Sequence, residues 1–175
     1  RAVYRAMQDG SAAIRYLREF QDEYGIDSEK IFMWGTSAGA FISLHLAYTD
    51  DSDRPNSTYG GFGIPDLGCL DCEGNSYTHS SRPNAIISCW GAIGDLDWID
   101  ADDFVPSLMF HGTADPVVPF GAGLPFTLMI TLPIVYGSNL IAERLDEYNI
   151  PNTLIGEEGQ LHEYWGVVNG NFIGG

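Results

Sequence analysis

The 175-residue chain carries 24 Asp+Glu against 8 Lys+Arg, a formal charge of -16 that repels phosphate backbones and anionic lipid headgroups and makes nucleic acid and membranes poor candidate partners. Its 45% hydrophobic and 13% aromatic content is that of a folded domain with a sizeable core, not a disordered chain.

The chain opens on Arg1, with no Met, basic n-region or apolar leader, so no targeting signal is visible. Residues 3–24 space Ala6, Ala13, Ile14, Leu17 and Phe20 mostly three or four apart, with Arg5, Gln8, Asp9, Arg15 and Glu19 between them. That spacing predicts an amphipathic helix, stopped by Gly25. Residues 30–34 form an apolar run of buried-strand length, and residues 38–48 read as a second helix. A loop rich in Asp, Ser, Gly and Pro fills residues 49–83.

Within that loop Cys69 and Cys72 form a C-x-x-C. A zinc knuckle needs a second ligand pair of matching spacing, and a thioredoxin-type site needs a helix start, whereas Gly68 and Gly74 flank a loop. The pair is read as a local disulfide, which places the protein in an oxidising compartment, secreted or periplasmic, with two unpaired thiols as the alternative. Cys89, in an apolar run, reads as an inert buried thiol.

Strands are predicted over 85–90 and 107–111, separated by an acidic segment with Asp95, Asp97, Asp100, Asp102 and Asp103. The apolar stretch 124–136 is broken by Pro125 and Pro133 and interrupted by Thr127 and Thr131, so it makes a poor membrane span. A helix over 138–148 and a strand over 152–156 follow. Strand and helix in alternation imply a parallel sheet with helices on its faces.

Gly35-Thr36-Ser37-Ala38-Gly39 is a G-x-S-x-G between a predicted strand and a predicted helix, the setting in which the pattern carries meaning. A turn this sharp holds the serine in strained φ/ψ, and a Cβ at Gly35 or Gly39 is expected to clash. The turn presents Ser37 as a nucleophile above the sheet edge, with the Ala38 N–H as first oxyanion donor at the helix N-terminus. A serine hydroxyl needs a base, and the base an orienting carboxylate.

Of four histidines, His45 lies two turns into the helix after Ser37 and reads as a packed or surface residue, while His79 lies in the long loop. His111 ends a strand and reads as a structural hydrogen-bonding residue. His162 follows the last predicted strand by a short loop, at the carboxyl edge where α/β sheets place their chemistry. Asp115, four residues past a strand end, is the matching acid, with Asp95 and Asp97 as second choices. Glu163 reads as a salt-bridge or capping residue.

Together Gly35-Thr-Ser-Ala-Gly39, His111-Gly-Thr-Ala-Asp-Pro-Val-Val-Pro119 and Gly159-Gln-Leu-His-Glu163 resemble the carboxylesterase and dienelactone-hydrolase-like branches of the α/β-hydrolase superfamily. Residues 5–17 are similar to the helix these esterases carry before the nucleophile strand. The resemblance covers nearly the whole chain except residues 50–83 and 120–136, taken as loop insertions in one partial domain. It implies an α/β-hydrolase fold, a parallel sheet flanked by helices and lacking the amino-terminal strands. It also implies ester hydrolysis by Ser37, Asp115 and His162, a small-molecule ester substrate and no metal or organic cofactor.

In these families a His-Gly-Gly type loop supplies the second oxyanion N–H, and this sequence has none. The chain is therefore expected to be the carboxyl-terminal portion of a longer hydrolase. Substrate selection is expected to fall to the two insertions, with Tyr59, Phe62, Trp90, Trp98 and Phe126 as candidate pocket residues or core packing. Two other classes fit the pattern. One is a prolyl-oligopeptidase-like serine peptidase, and the other a non-catalytic binding protein on a hydrolase fold.

Overall fold

A computed structural model describes residues 1–126 and 130–163. In chain order the elements are α1 (Ala2–Glu19), α2 (Gln21–Tyr24), β1 (Phe32–Thr36), α3 (Ala38–Tyr48), β2 (Ala85–Cys89), β3 (Ala92–Ile93), β4 (Ser107–Gly112), β5 (Ala122–Gly123), β6 (Val135–Gly137), α4 (Ser138–Glu147) and β7 (Asn152–Glu157). Four strands form a parallel sheet in the order β1-β2-β4-β7, and a small antiparallel sheet joins β3, β6 and β5. Among the described residues no helix is long and apolar enough to cross a membrane.

The predicted helix 3–24 is two helices. The chain turns at Phe20, and Gly25 closes α2 in the left-handed region at φ 64°. The first strand starts two residues later than expected because the Asn84 side chain accepts the Ile31 N–H, so the ladder opens with Phe32 opposite Ala85. It then runs on to Thr36 and absorbs the first two residues of the G-x-S-x-G. The second strand stops at Cys89 because Trp90 turns to φ 47°. The small antiparallel sheet was not expected; its ladders of two or three residues are too short to show a period.

Side chains alternate across each strand. The inward set, with Met33, Ile86, Met109 and Leu154, meets Leu44 and Tyr48 of α3 and Ile141 and Leu145 of α4 in the main core. Tyr48 is fully buried and donates its hydroxyl to the Val105 carbonyl at 2.8 Å. Its position inside this core pushes its pKa up to about 12. Because α3 is packed between the sheet and α1, nearly its whole circumference is apolar.

Residues 50–83 run lengthwise along α1, whose long polar side chains donate to their backbone and side-chain oxygens. Arg1 donates to Ser57 and Pro65, Gln8 to Leu67 and Cys69, and the fully buried Arg15 to Ser11, Asp71, Asn75 and Glu73. Cys69 and Cys72 are joined in a disulfide, with Cα atoms 5.6 Å apart. Cys89 is buried, and its sulfur accepts from the Trp34 indole N–H at 3.3 Å.

Among the described residues the opposite face of the parallel sheet carries exposed apolar side chains. Phe32 is 63% and Trp34 62% exposed, and Ile87 and Ile155 lie in the same face. Parallel sheets are ordinarily covered on both sides, because both sets of side chains are apolar. The isolated 175-residue chain is expected to bind a neutral apolar dye such as Nile red and to self-associate in sedimentation, with Phe32→Lys reducing both. A monodisperse, dye-silent monomer would contradict this.

Candidate active site

Ser37 sits between β1 and α3 at φ 51°, ψ -117°, outside the conformations that L-residues favour. The strain is held by Ser37 N–H donating to the Cys89 carbonyl at 3.0 Å and by the close packing of Gly35. A Cβ on Gly35 would lie 2.2 Å from the Gly39 carbonyl carbon, so only glycine fits there. Gly39 is different: a Cβ would meet nothing within 4 Å, and the expected clash is absent because its hydrogens face open space.

A serine preceding a helix commonly caps it with its side chain, but Ser37 makes no such bond. Its Oγ lies instead 3.0 Å from His162 Nε2. Ala38, exposed at the first turn of α3, carries one of the amides that the helix cannot satisfy internally.

His162 Nδ1 lies 2.6 Å from Asp115 Oδ2. A carboxylate only accepts, so Nδ1 carries the proton and Nε2 is left as the acceptor for the serine hydroxyl. The Asp115 side chain is fully buried, while the His162 side chain keeps 13% exposure. Val117 and Val118 N–H donate to Asp115 Oδ1 at 2.8 and 3.0 Å. Burial pushes the Asp115 carboxyl up, but hydrogen bonds from His111, His162, Val118 and Val117 outweigh it and hold the group well below the usual carboxylate range.

The loop that carries His162 is seated directly on the end of β4. Ala114 N–H donates to the Gln160 carbonyl, Thr113 N–H to that of Glu157, and Gly159 N–H to Thr113 Oγ1. Gly112 makes the approach possible, since a Cβ there would come within 2.3 Å of Gln160 O and 2.5 Å of Leu161 O. On its other side the His162 ring meets Trp90 edge-on, with centroids 5.9 Å apart.

The other predicted residues fall elsewhere. Asp95 caps a short turn through Asp97 N–H, and Asp97 faces Arg144 at 3.5 Å. His79 pairs with Glu19 on the surface. Glu163 is exposed, with φ 56°.

Trp90 is buried against His162 and Trp98 packs on His45, so neither is a free pocket wall. Tyr59 stacks under the Arg54 guanidinium at 4.0 Å beside α1, and Phe62 projects fully into solvent. Phe126 is half-exposed next to the acid loop, its N–H donating to the Val117 carbonyl. Residues 127–129 of the second insertion lie outside the described residues. Among the described residues no cluster of His, Cys, Asp and Glu is arranged to hold a metal ion.

Residues 2–103 match the BD-FAE family model, more than half of the chain. The chain belongs to the BD-FAE family, an α/β-hydrolase-type esterase family. The match includes Ser37 and Ala38; Asp115 and His162 lie beyond it. Among solved structures the chain resembles esterase 2 of Thermogutta terrifontis phosphoramylated by tabun, with 22% identity, a TM-score of 0.65, and coverage of 96% of this chain and 59% of that one. The butyrate-bound form of that esterase aligns at 22% identity and a TM-score of 0.64, covering 93% of this chain and 58% of that one.

A truncated carbohydrate esterase from gut microbiota aligns at 24% identity and a TM-score of 0.60, covering 90% of this chain and 61% of that one. These likenesses establish the α/β-hydrolase fold for a chain spanning less than two thirds of their length. A comparison with curated proteins gives no match.

His45, two turns along α3, bears on stability. It is buried, its Nδ1–H donates to the Phe41 carbonyl at 2.6 Å, and Nε2 accepts from Gly94 N–H at 3.3 Å. Burial pushes its pKa down to about 4 from an ordinary 6.5. Between those values the unfolded chain takes up a proton that the folded one refuses, so this contribution is full above pH 6.5 and falls as pH drops towards 4. The loss amounts to about 3 kcal/mol. Urea titrations across that range are expected to show a flatter pH dependence for His45→Gln than for the unmodified chain. Parallel curves would contradict the assignment.

Proposed function

We propose that this chain is the catalytic part of a serine hydrolase that cleaves carboxylic esters through an acyl-enzyme, with Ser37 as nucleophile, His162 as general base and Asp115 as the acid that orients it. The observation that carries the reading is the continuous hydrogen-bonded chain from Ser37 Oγ through both ring nitrogens of His162 to Asp115 Oδ2, with distances of 3.0 and 2.6 Å.

In this reading His162 Nε2 takes the Ser37 proton as Oγ attacks the ester carbonyl carbon. Negative charge on the carbonyl oxygen is met by Ala38 N–H, and the imidazolium is stabilised by Asp115. Collapse of the intermediate expels the alkoxide, which takes the proton from Nε2. Water, deprotonated by the same nitrogen, then attacks the acyl carbon and restores the serine.

Substrate selection is assigned to the segment 120–136, which the Phe126 bond to Val117 ties to the acid loop. Residues 50–83 have their contacts along α1 and are not assigned this role. The Cys69–Cys72 disulfide supports an oxidising compartment, secreted or periplasmic.

In the full-length protein, p-nitrophenyl acetate hydrolysis is expected to fall by at least about a thousandfold in Ser37→Ala and in His162→Ala. The isolated chain is expected to turn over little or none. Turnover that persists in Ser37→Ala would overturn the reading, and faster cleavage of aminoacyl amides than of esters would move it to a peptidase.

A further inference from the structure

His111 was expected to be a structural residue at a strand end, yet it stands against the same carboxylate oxygen as His162. The side chain is fully buried at the end of β4, and Nε2 lies 3.0 Å from the Val118 carbonyl and 3.3 Å from Asp115 Oδ2. Both neighbours of that nitrogen are acceptors, so Nε2 carries a proton shared between them. Nδ1 lies 2.9 Å from the hydroxyl of Ser138, the buried first residue of α4. In the neutral imidazole Nδ1 accepts from that hydroxyl, which fixes both the tautomer and the ring plane. The Phe120 ring closes the pocket edge-on, with centroids 5.5 Å apart.

We propose that His111 is a positioning residue for the reaction assigned above, set by Ser138 and acting through Asp115. The inference rests on the triad reading. Backbone N–H groups hold Oδ1, whereas Oδ2 has to present a lone pair to His162 with nothing from its own loop to fix it. His111 occupies the other side of Oδ2 and binds the Val118 carbonyl in the same stroke, so the carboxylate cannot rotate without breaking a buried bond. Ser138 ties the arrangement to the N-terminus of α4, making the sequence Ser138, His111, Asp115, His162, Ser37 one chain of contacts. Buried His45 also has both ring nitrogens met, but by backbone groups alone; what sets His111 apart is that one of its acceptors is the Asp115 oxygen that also faces His162.

The test uses ester kinetics of the full-length protein carrying His111→Leu, His111→Gln or Ser138→Ala, with folding followed by circular dichroism. His111→Leu keeps the volume and removes the donor. It is expected to lower kcat by about tenfold to a hundredfold, the range for losing a hydrogen bond to a charged group, with KM within about twofold. His111→Gln places an amide N–H at the reach of Nε2 and is expected to recover most of that loss. Ser138→Ala is expected to lower kcat by a smaller factor at unchanged KM, and it decides the matter if His111→Leu does not fold.

Wild-type kcat in folded His111→Leu, or no recovery in His111→Gln, would overturn the inference, as would wild-type kcat in Ser138→Ala. Asp115→Asn separates the two levels. Wild-type turnover there removes the triad reading and this inference with it, whereas loss in Asp115→Asn without loss in His111→Leu removes the inference alone.

Discussion

The bond between Asp115 Oδ2 and His162 Nδ1 is the contact on which the rest of the site turns. A fully buried carboxylate is stable only when its lone pairs are met, and Asp115 receives two backbone N–H groups on one oxygen and two imidazoles on the other. Those donors come from the loop after β4, from β4 itself and from the loop after β7. A single charge therefore fastens three stretches of chain together. The same arrangement fixes which nitrogen of His162 faces the serine.

Close backbone approach does the remaining work. Gly35 lets α3 start directly behind β1, and that proximity holds Ser37 in a conformation which turns its hydroxyl away from helix capping and towards His162. Gly112 lets the His162 loop rest on the end of β4. Strained geometry of this kind persists only where the surroundings over-determine it, and here the helix, the sheet edge and the histidine loop all bear on the same turn.

Much of the architecture was legible in the sequence because it rests on period and punctuation. Residues 38–48 form the predicted helix to the residue, since small and apolar side chains fill every turn. Strand ends were misjudged where side chains rather than period set them, as at Ile31, held by Asn84, and at Trp90, which leaves the ladder at positive φ. Ser37, Asp115 and His162 stood out by type and position, and the structure brings those three together. His111 was visible as a residue but not as a neighbour of Asp115, because the spacing of four past a strand end says nothing of how the loop folds back. Gly39 shows the converse: the motif suggested a steric need that the geometry does not impose. Trp90 and Trp98 illustrate why an aromatic near a site is hard to assign, since burial against His162 and His45 is a tertiary outcome.

The fold and BD-FAE membership, the strained serine turn and the buried acid all belong to one account, in which Ser37 is the activated nucleophile. The exposed apolar side chains Phe32 and Trp34 on the parallel sheet belong to it too, because a site built on that sheet depends on the sheet being held. The most direct measurement is mass spectrometry of the full-length protein after reaction with a fluorophosphonate. The account predicts a single adduct on Ser37, formed far more slowly in His162→Ala and Asp115→Asn. No adduct in the folded protein, or one on another residue, would contradict it.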